Sequence, residues 1–188
     1  MKISKERVRR EIREWVEAIL VALILTLIIR TFVVQAFKIP SESMYPTLMV
    51  GDKLFVNKFI YRFRDPERGE IIVFKYPENP SKDFIKRVIG VPGDTVEIRN
   101  GDILINNKKW NPPAEISGNL YYNQDPYAGS GQKLTIPNES YFVLGDNSIS
   151  SRDSRYWGFV PKDLLVGKAF VRWWPLNRIG RLDRIFKK

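Results

Sequence analysis

The 188-residue sequence predicts a mainly β protein: an antiparallel β-sheet domain behind one N-terminal apolar helix. Three observations predict it. The all-apolar run of near-helical length lies at the start, Ala18–Ile29. After Phe37, short apolar runs alternate with turn signals, and no further helical stripe stands out. Asn100-Gly101 sits between two strand-like runs, and this pair supplies the two positive φ angles of a type I′ hairpin turn. Many short strands with tight turns point to a barrel or a sandwich.

The N-terminal segment comes first. Residues 2–14 carry six cations (Lys2, Lys5, Arg7, Arg9, Arg10, Arg13) against Glu6, Glu11 and Glu14. The run Ala18–Ile29 is apolar on every face, so as a helix it has no side to show to water. Its 12 residues cover about 18 Å, short of a ~30 Å hydrocarbon core. Counted from Trp15 to Phe37 the segment has 23 residues, with Glu17 and Arg30 toward its ends, where both can snorkel. A membrane anchor, a cleaved signal peptide and a buried core helix all remain open on these residues. Val34-Gln35-Ala36 offers a small-residue cleavage site. For an anchor, the leading basic flank predicts a cytoplasmic N-terminus with the rest outside. The predicted organisation is a basic segment 1–14, a transmembrane anchor 15–37 and an extracytoplasmic β-rich domain 38–188.

Strands are expected over Lys53–Asn57, Glu70–Lys75, Phe84–Gly90, Thr95–Arg99, Asp102–Asn106, Lys133–Ile136, Tyr141–Leu144 and Gly167–Trp174. Pro92-Gly93-Asp94 and Pro161 mark turns. Asn111–Gln132, rich in Gly, Pro, Asn and Tyr, reads as a long loop or insertion.

Composition narrows the chemistry. The chain has no cysteine and no histidine. That excludes a Ser-His-Asp triad, a thiol nucleophile, disulfides and Cys- or His-ligated metals. Any metal site would be all-oxygen, and the acidic residues lack metal-loop spacing; no metal or cofactor is expected. The net charge of +10 suits an anionic partner, membrane surface or nucleic acid.

Three clusters hold groups that can react. Ile39–Leu48 contains Ser41 and Ser43 between Pro40 and Pro46, which restrict the backbone; turn serines in a linker are the plainer reading. Asp83–Asp94 places Lys86 and Arg87 side by side in an apolar run. Strand alternation sends the two to opposite faces, so one can point inward. A buried lysine loses charge and becomes a usable general base, whereas an edge strand would leave both solvated. Leu144–Pro161 packs four serines, Asp146, Asp153, Arg152 and Arg155 between apolar flanks, and reads as a hydrogen-bonded loop with an Asp–Arg pair. With no histidine available, Ser plus Lys is the surviving nucleophile–base pair.

Together the clusters resemble bacterial type I signal peptidases, also called leader peptidases. The matching stretches are Pro40–Leu48, Lys86–Asp94 and Gly145–Arg155, with Gly51-Asp52 and Arg68–Ile71 also similar. The resemblance runs from about Trp15 to Trp174, in register and behind the apolar segment. It favours an uncleaved anchor, and the compact single-anchor form known from Gram-positive and cyanobacterial members.

The resemblance implies a β-rich catalytic domain and a Ser–Lys dyad that cuts signal peptides from exported preproteins. Ser43 falls at the nucleophile and Lys86 at the general base. Ser41 falls where a hydroxyl joins the Ser43 N–H in the oxyanion hole, and Ser151 where a serine orients the lysine. Asp153 and Arg155 match a supporting ion pair. Phe37, Ile39, Leu48, Phe84 and Ile85 fall where relatives line shallow pockets for small substrate side chains, so the expected partners are signal peptides with small residues at −1 and −3. Anionic membrane lipid is the second expected partner, and nucleic acid is not expected. A cell membrane location is implied, or a thylakoid membrane in a cyanobacterium.

The chain departs from many relatives at 148–150, Ser-Ile-Ser, where they carry Arg and Asn at the outer two positions. Ser130-x-x-Lys133 lies in a Gly-rich loop without the companion motifs of penicillin-binding enzymes. Phe170–Ile179 mixes aromatic and basic residues, suiting a core strand with a basic tail or an interfacial contact. The competing readings are a membrane-tethered peptide-binding domain without catalysis, a self-cleaving Ser-Lys repressor and a nucleic-acid binder.

Overall fold

The computed structural model of the chain describes residues 5–28 and 33–182. Helix α1 spans Lys5–Ile28, about 36 Å at helical rise. Its first half is charged and is tied along its surface by Arg10–Glu14 (2.9 Å) and Arg13–Glu17 (3.1 Å). Its second half exposes apolar side chains all round, from Trp15 through Leu27. Among the described residues, no helix is long and apolar enough to cross a membrane.

The expected 15–37 segment is not a single element. Strand β1, Val34–Lys38, is paired antiparallel with β2, Lys53–Asn57, in the register Val34↔Asn57 to Lys38↔Lys53. Residues 34–37 therefore belong to the sheet, and Val34-Gln35-Ala36 is hydrogen-bonded strand. Arg30, taken above as a snorkelling end, lies outside the described residues.

The other strands are β3 (Ile71–Tyr76), β4 (Asn79–Gly90), β5 (Thr95–Arg99), β6 (Asp102–Ile105), β7 (Lys108–Lys109), β8 (Leu134–Thr135), β9 (Ser140–Leu144), β10 (Val160–Pro161), β11 (Leu165–Trp174) and β12 (Gly180–Arg181). Helix α2 is a single turn, Ser154–Trp157. The larger sheet runs β1-β2-β11-β3-β4-β9-β10, with β12 on β11; the smaller runs β7-β6-β5-β8. Each pairing among these strands is antiparallel. The expected mainly β, antiparallel class is what the chain adopts.

Strands β3 and β4 sit mid-sheet; β3 and the Lys86–Gly90 end of β4 are buried, while Asn79–Asp83 of β4 is exposed. Ile71 and Val73 of β3 join a core with Ile39, Met44, Leu48, Leu54 and Val56. Ile72 and Phe74 join a second core with Val88, Tyr141, Val143 and Trp157. This two-sided burial explains why β3 reads as a continuous apolar run instead of an alternating one. A third core, with Ile89, Val96, Ile98, Ile103 and Phe142, joins the smaller sheet to the far end of β4.

Turn chemistry sets the smaller sheet. Asn100 (φ 52°) and Gly101 (φ 86°) make the expected β5–β6 hairpin, and Asn106 (φ 52°) and Asn107 (φ 63°) make a second one to β7. Residues 111–132 contain no strand, as expected of a loop. They are nonetheless fastened down: Ile116 and Tyr121 are buried, and the Asn123 amide donates to the carbonyls of Ile98 and Ala128.

Candidate active site

Ser43 stands on the excursion between β1 and β2. Its base is closed by Ile39 N–H to Asp52 O and Gly51 N–H to Ile39 O, both 2.9 Å. Met44 and Leu48 plug the loop into the core, and the Leu48 N–H returns to Met44 O at 2.8 Å. The serine on this loop is thus held by apolar burial on either side, not by a flexible tether. Asn147 fixes it from the other cluster: its N–H donates to Ser43 O (3.1 Å) and its side-chain amide to Glu42 O (3.3 Å).

Lys86 arrives from β4. Because β4 lies between β3 and β9, Lys86 and its neighbour Arg87 are both buried, although strand alternation alone would bury just one. Nζ of Lys86 lies 2.7 Å from Oγ of Ser43. Burial pushes the Lys86 amine down from 10.5 to about 8. The negative charges of Asp153 and Asp146 pull the other way, and the Arg155 cation adds to the lowering. The face of Phe84 lies 5.5 Å from Nζ.

Ser41 Oγ is 3.4 Å from Ser43 Oγ. A cavity of about 350 Å³ opens on this group, lined by Ser41, Ser43, Phe84, Ile85, Lys86 and Arg152, among others. Phe84 stacks on Tyr76 (4.4 Å between centroids) and meets Trp157 edge-on, which fixes its ring.

Ion pairs hold the third cluster. Arg155 donates to Asp153 twice, Nε to Oδ1 at 2.8 Å and Nη2 to Oδ2 at 2.9 Å. The same guanidinium reaches Ser148 Oγ (2.7 Å) and the carbonyls of Tyr122, Ser148 and Ser151. Asp153 also caps α2 and accepts from Gly145 N–H at 3.0 Å. One buried pair therefore ties residues 122, 145, 148 and 151 together. Gly145 leaves no room for a side chain: a Cβ there would stand 2.2 Å from Ser151 Oγ and 2.4 Å from Ser43 O.

The structure brings Ser41, Ser43, Lys86, Phe84 and Ile85 to one cavity, and seats Asp153 and Arg155 as a buried pair behind it. Other expected site residues sit apart from this group. Ser151 Oγ is buried without a hydrogen-bond partner, so it does not bond Lys86 here; its β-carbon and hydroxyl are packed against Gly145 instead. Ile39 and Leu48 do not line the cavity. They are core residues, and Phe37 packs against that core. Ile85 lines the cavity and packs on the same core, so Phe37, Ile39 and Leu48 support the cavity wall from behind.

Sequence reasoning missed one pair. Arg87 grips Asp146 through Nε–Oδ1 (2.7 Å) and Nη2–Oδ2 (2.6 Å), with both side chains fully buried. Arg87 also donates to Gly69 O at 2.8 Å. A signal was present: an arginine in an apolar strand needs a buried acid, and Asp146 follows the apolar run of β9.

Comparison with known proteins gives the family. Residues 12–174 match the family described as signal peptidase, peptidase S26. A probable signal peptidase I-2 of Synechocystis is 43% identical over 187 residues, covering 95% of this chain and 82% of its own. A signal peptidase I of Leptolyngbya laminosa is 43% identical over 186 residues, covering 95% and 88%. A signal peptidase IB of Staphylococcus aureus (strain COL) is 38% identical over 180 residues, covering 90% and 93%. With a match over most of its length, the chain belongs to the signal peptidase family, peptidase S26, as a peptidase of the signal peptidase I type.

Proposed function

We propose that the chain is a membrane-anchored serine endopeptidase that removes N-terminal signal peptides from exported preproteins, with Ser43 as nucleophile and Lys86 as general base. The observation that carries the reading is the 2.7 Å contact between a buried lysine, its amine lowered to about 8, and a buried serine facing a cavity.

The neutral Lys86 amine takes the proton of Ser43 as its oxygen attacks the carbonyl carbon of the scissile bond. The developing oxyanion is met by the Ser43 N–H and the Ser41 hydroxyl, a contribution of about 3–4 kcal/mol per well-placed donor. The tetrahedral intermediate collapses, and the leaving amine takes the proton back from Lys86. Water, activated by the same amine, then hydrolyses the Ser43 ester. Phe84 and Ile85 give the substrate side a shallow apolar wall, which admits alanine-sized side chains and resists larger ones by steric clash.

Family membership implies work at a membrane. The exposed apolar half of α1 supports insertion, since nothing among the described residues covers it. The basic residues that precede it support a cytoplasmic N-terminus, and the short stretch of sequence from α1 to Ser43 supports a site near the surface from which a signal peptide emerges.

The test is cleavage of a preprotein with an Ala-x-Ala site by the full chain in detergent, beside Ser43→Ala and Lys86→Ala. The parent is expected to cut at the predicted bond, and each variant to lose at least about 10⁴-fold in rate. Equal cutting by all three would overturn the dyad. Binding without cutting by all three would favour a non-catalytic peptide receptor.

A further inference from the structure

A second cavity, of about 430 Å³, lies beside the dyad. Two segments pass from one cavity to the other. Ser41 and Ser43 line the first and Tyr45 and Pro46 the second; Ser150 and Arg152 line the first and Ser148 and Ile149 the second. No residue lines both, so the Ser43 loop and the 148–152 loop together form the divide between them.

The second cavity is apolar where water should be. Ile149 is 78% exposed, Leu120 57%, Tyr122 52% and Tyr45 50%, and all four line it. Apolar side chains left open together around one concave surface mark a binding site more often than chance exposure. Its one charged lining residue, Asp146, is fully buried and spent on Arg87. The Ser148 hydroxyl already accepts twice, from Arg155 and from Tyr122 N–H. The walls therefore offer no free charge.

The first cavity holds Phe84 and Ile85, against which residues before the scissile bond would lie. An extended chain advances about 3.3 Å per residue, so a peptide whose carbonyl sits on Ser43 reaches Tyr45 and beyond within its next few residues. We infer that the second cavity receives the first three residues on the carboxyl side of the scissile bond, and that Ile149, Leu120 and Tyr122 favour an apolar or aromatic side chain there. The inference rests on the proposed endopeptidase reading and deepens it: the enzyme reads the start of the released chain as well as the end of the signal peptide. A charged side chain in this cavity would lose water without meeting an opposite charge, and is disfavoured for that reason.

The experiment uses the full chain in detergent and peptides that share one Ala-x-Ala segment. They carry Leu, Ser, Asp or Lys in turn at each of the three positions after the bond, and product masses identify the bond cut. The parent is expected to prefer Leu over Asp by at least about tenfold in kcat/KM at one of these positions, a typical worth for an apolar side chain in an apolar pocket. Ile149→Ser is expected to shrink that ratio to within about threefold. Ile149→Asp is expected to reverse it in favour of the Lys peptide, a gain that misfolding does not produce. Ile149 is exposed, so neither change disturbs the core. A parent indifferent to all three positions overturns the inference while leaving the endopeptidase reading intact. Variants that slow every peptide by one common factor overturn it as well. If the parent cuts no peptide at all, the endopeptidase reading itself fails and the inference falls with it.

Discussion

Nζ of Lys86 and Oγ of Ser43 lie 2.7 Å apart, joined from positions 43 residues apart in the chain. The contact is useful only while the amine is neutral, and burial sets the pH at which that happens. With the amine near 8, about a tenth of it is neutral at pH 7. We therefore expect kcat/KM to rise about tenfold per pH unit below 8 and to level off above it. A rate profile from pH 6 to 10 checks this. A limb that rises only near 10.5 would mean that the lysine is not desolvated when substrate binds.

The same burial weakens the fold. Lys86 has a lowered pKa when folded, so between pH 8 and 10.5 the unfolded chain holds the extra proton. Stability on this account rises with pH across that window, and the full cost is carried below pH 8. The shift corresponds to about 3 kcal/mol. Lys86→Met keeps the length and removes the charge. It is expected to be inactive yet more stable at pH 7 by roughly 1–3 kcal/mol, raising Tm by about 2–4 °C for each. Calorimetry at pH 7 and pH 10 decides: the gain should shrink at the higher pH, and a loss at pH 7 would contradict it.

Ser151 presents a buried hydroxyl with no partner beside Gly145. Deleting an unpaired buried hydroxyl removes a group that is desolvated without return, so Ser151→Ala is expected to leave stability unchanged or raise it slightly. The expectation for catalysis is opposite. If the hydroxyl turns to Lys86 when substrate binds, kcat falls by about tenfold or more with the fold intact. Denaturant midpoint and kcat, measured on the same variant, separate the two. Unchanged kcat would remove Ser151 from the lysine-orienting role that the family resemblance assigned to it.

Legibility from sequence followed local pattern. β2 and β5 appear at the bounds their patterns predict, because each is a short run closed by a turn. β1 was absorbed into the apolar N-terminal segment: Val34, Ala36 and Phe37 extend a hydropathy count as readily as a strand, and only pairing with β2 distinguishes the two. β7, β10 and β12 are two residues each and carry no periodicity to read. The site residues were legible as types in order along the chain. What sequence did not reveal was which groups face one another, as Arg87 and Asp146 do, or that Ile39 and Leu48 lie beneath the cavity wall and not on it.

The Arg87–Asp146 pair separates stability from positioning. Both side chains are fully buried, so Asp146→Ala strands a desolvated cation and is expected to cost about 3–5 kcal/mol. Replacing both, as Arg87→Met with Asp146→Leu, removes the stranded charge and should recover much of that loss. Activity should not follow. Asp146 lies between Gly145, whose N–H is held by Asp153, and Asn147, whose N–H holds Ser43 O; its own carbonyl accepts from the Asn119 amide at 2.6 Å. Arg87 adjoins Lys86 on β4 and reaches back to Gly69 O and Thr47 Oγ1. The pair therefore clamps the strand that carries the base to the loop that steadies the nucleophile. Urea titration of the parent, the single variant and the double variant reports the stability, and kcat on the same samples reports the alignment. A double variant that regains stability while kcat stays depressed supports a positioning role. Recovery of both together would reduce the pair to a structural tie that apolar packing can replace.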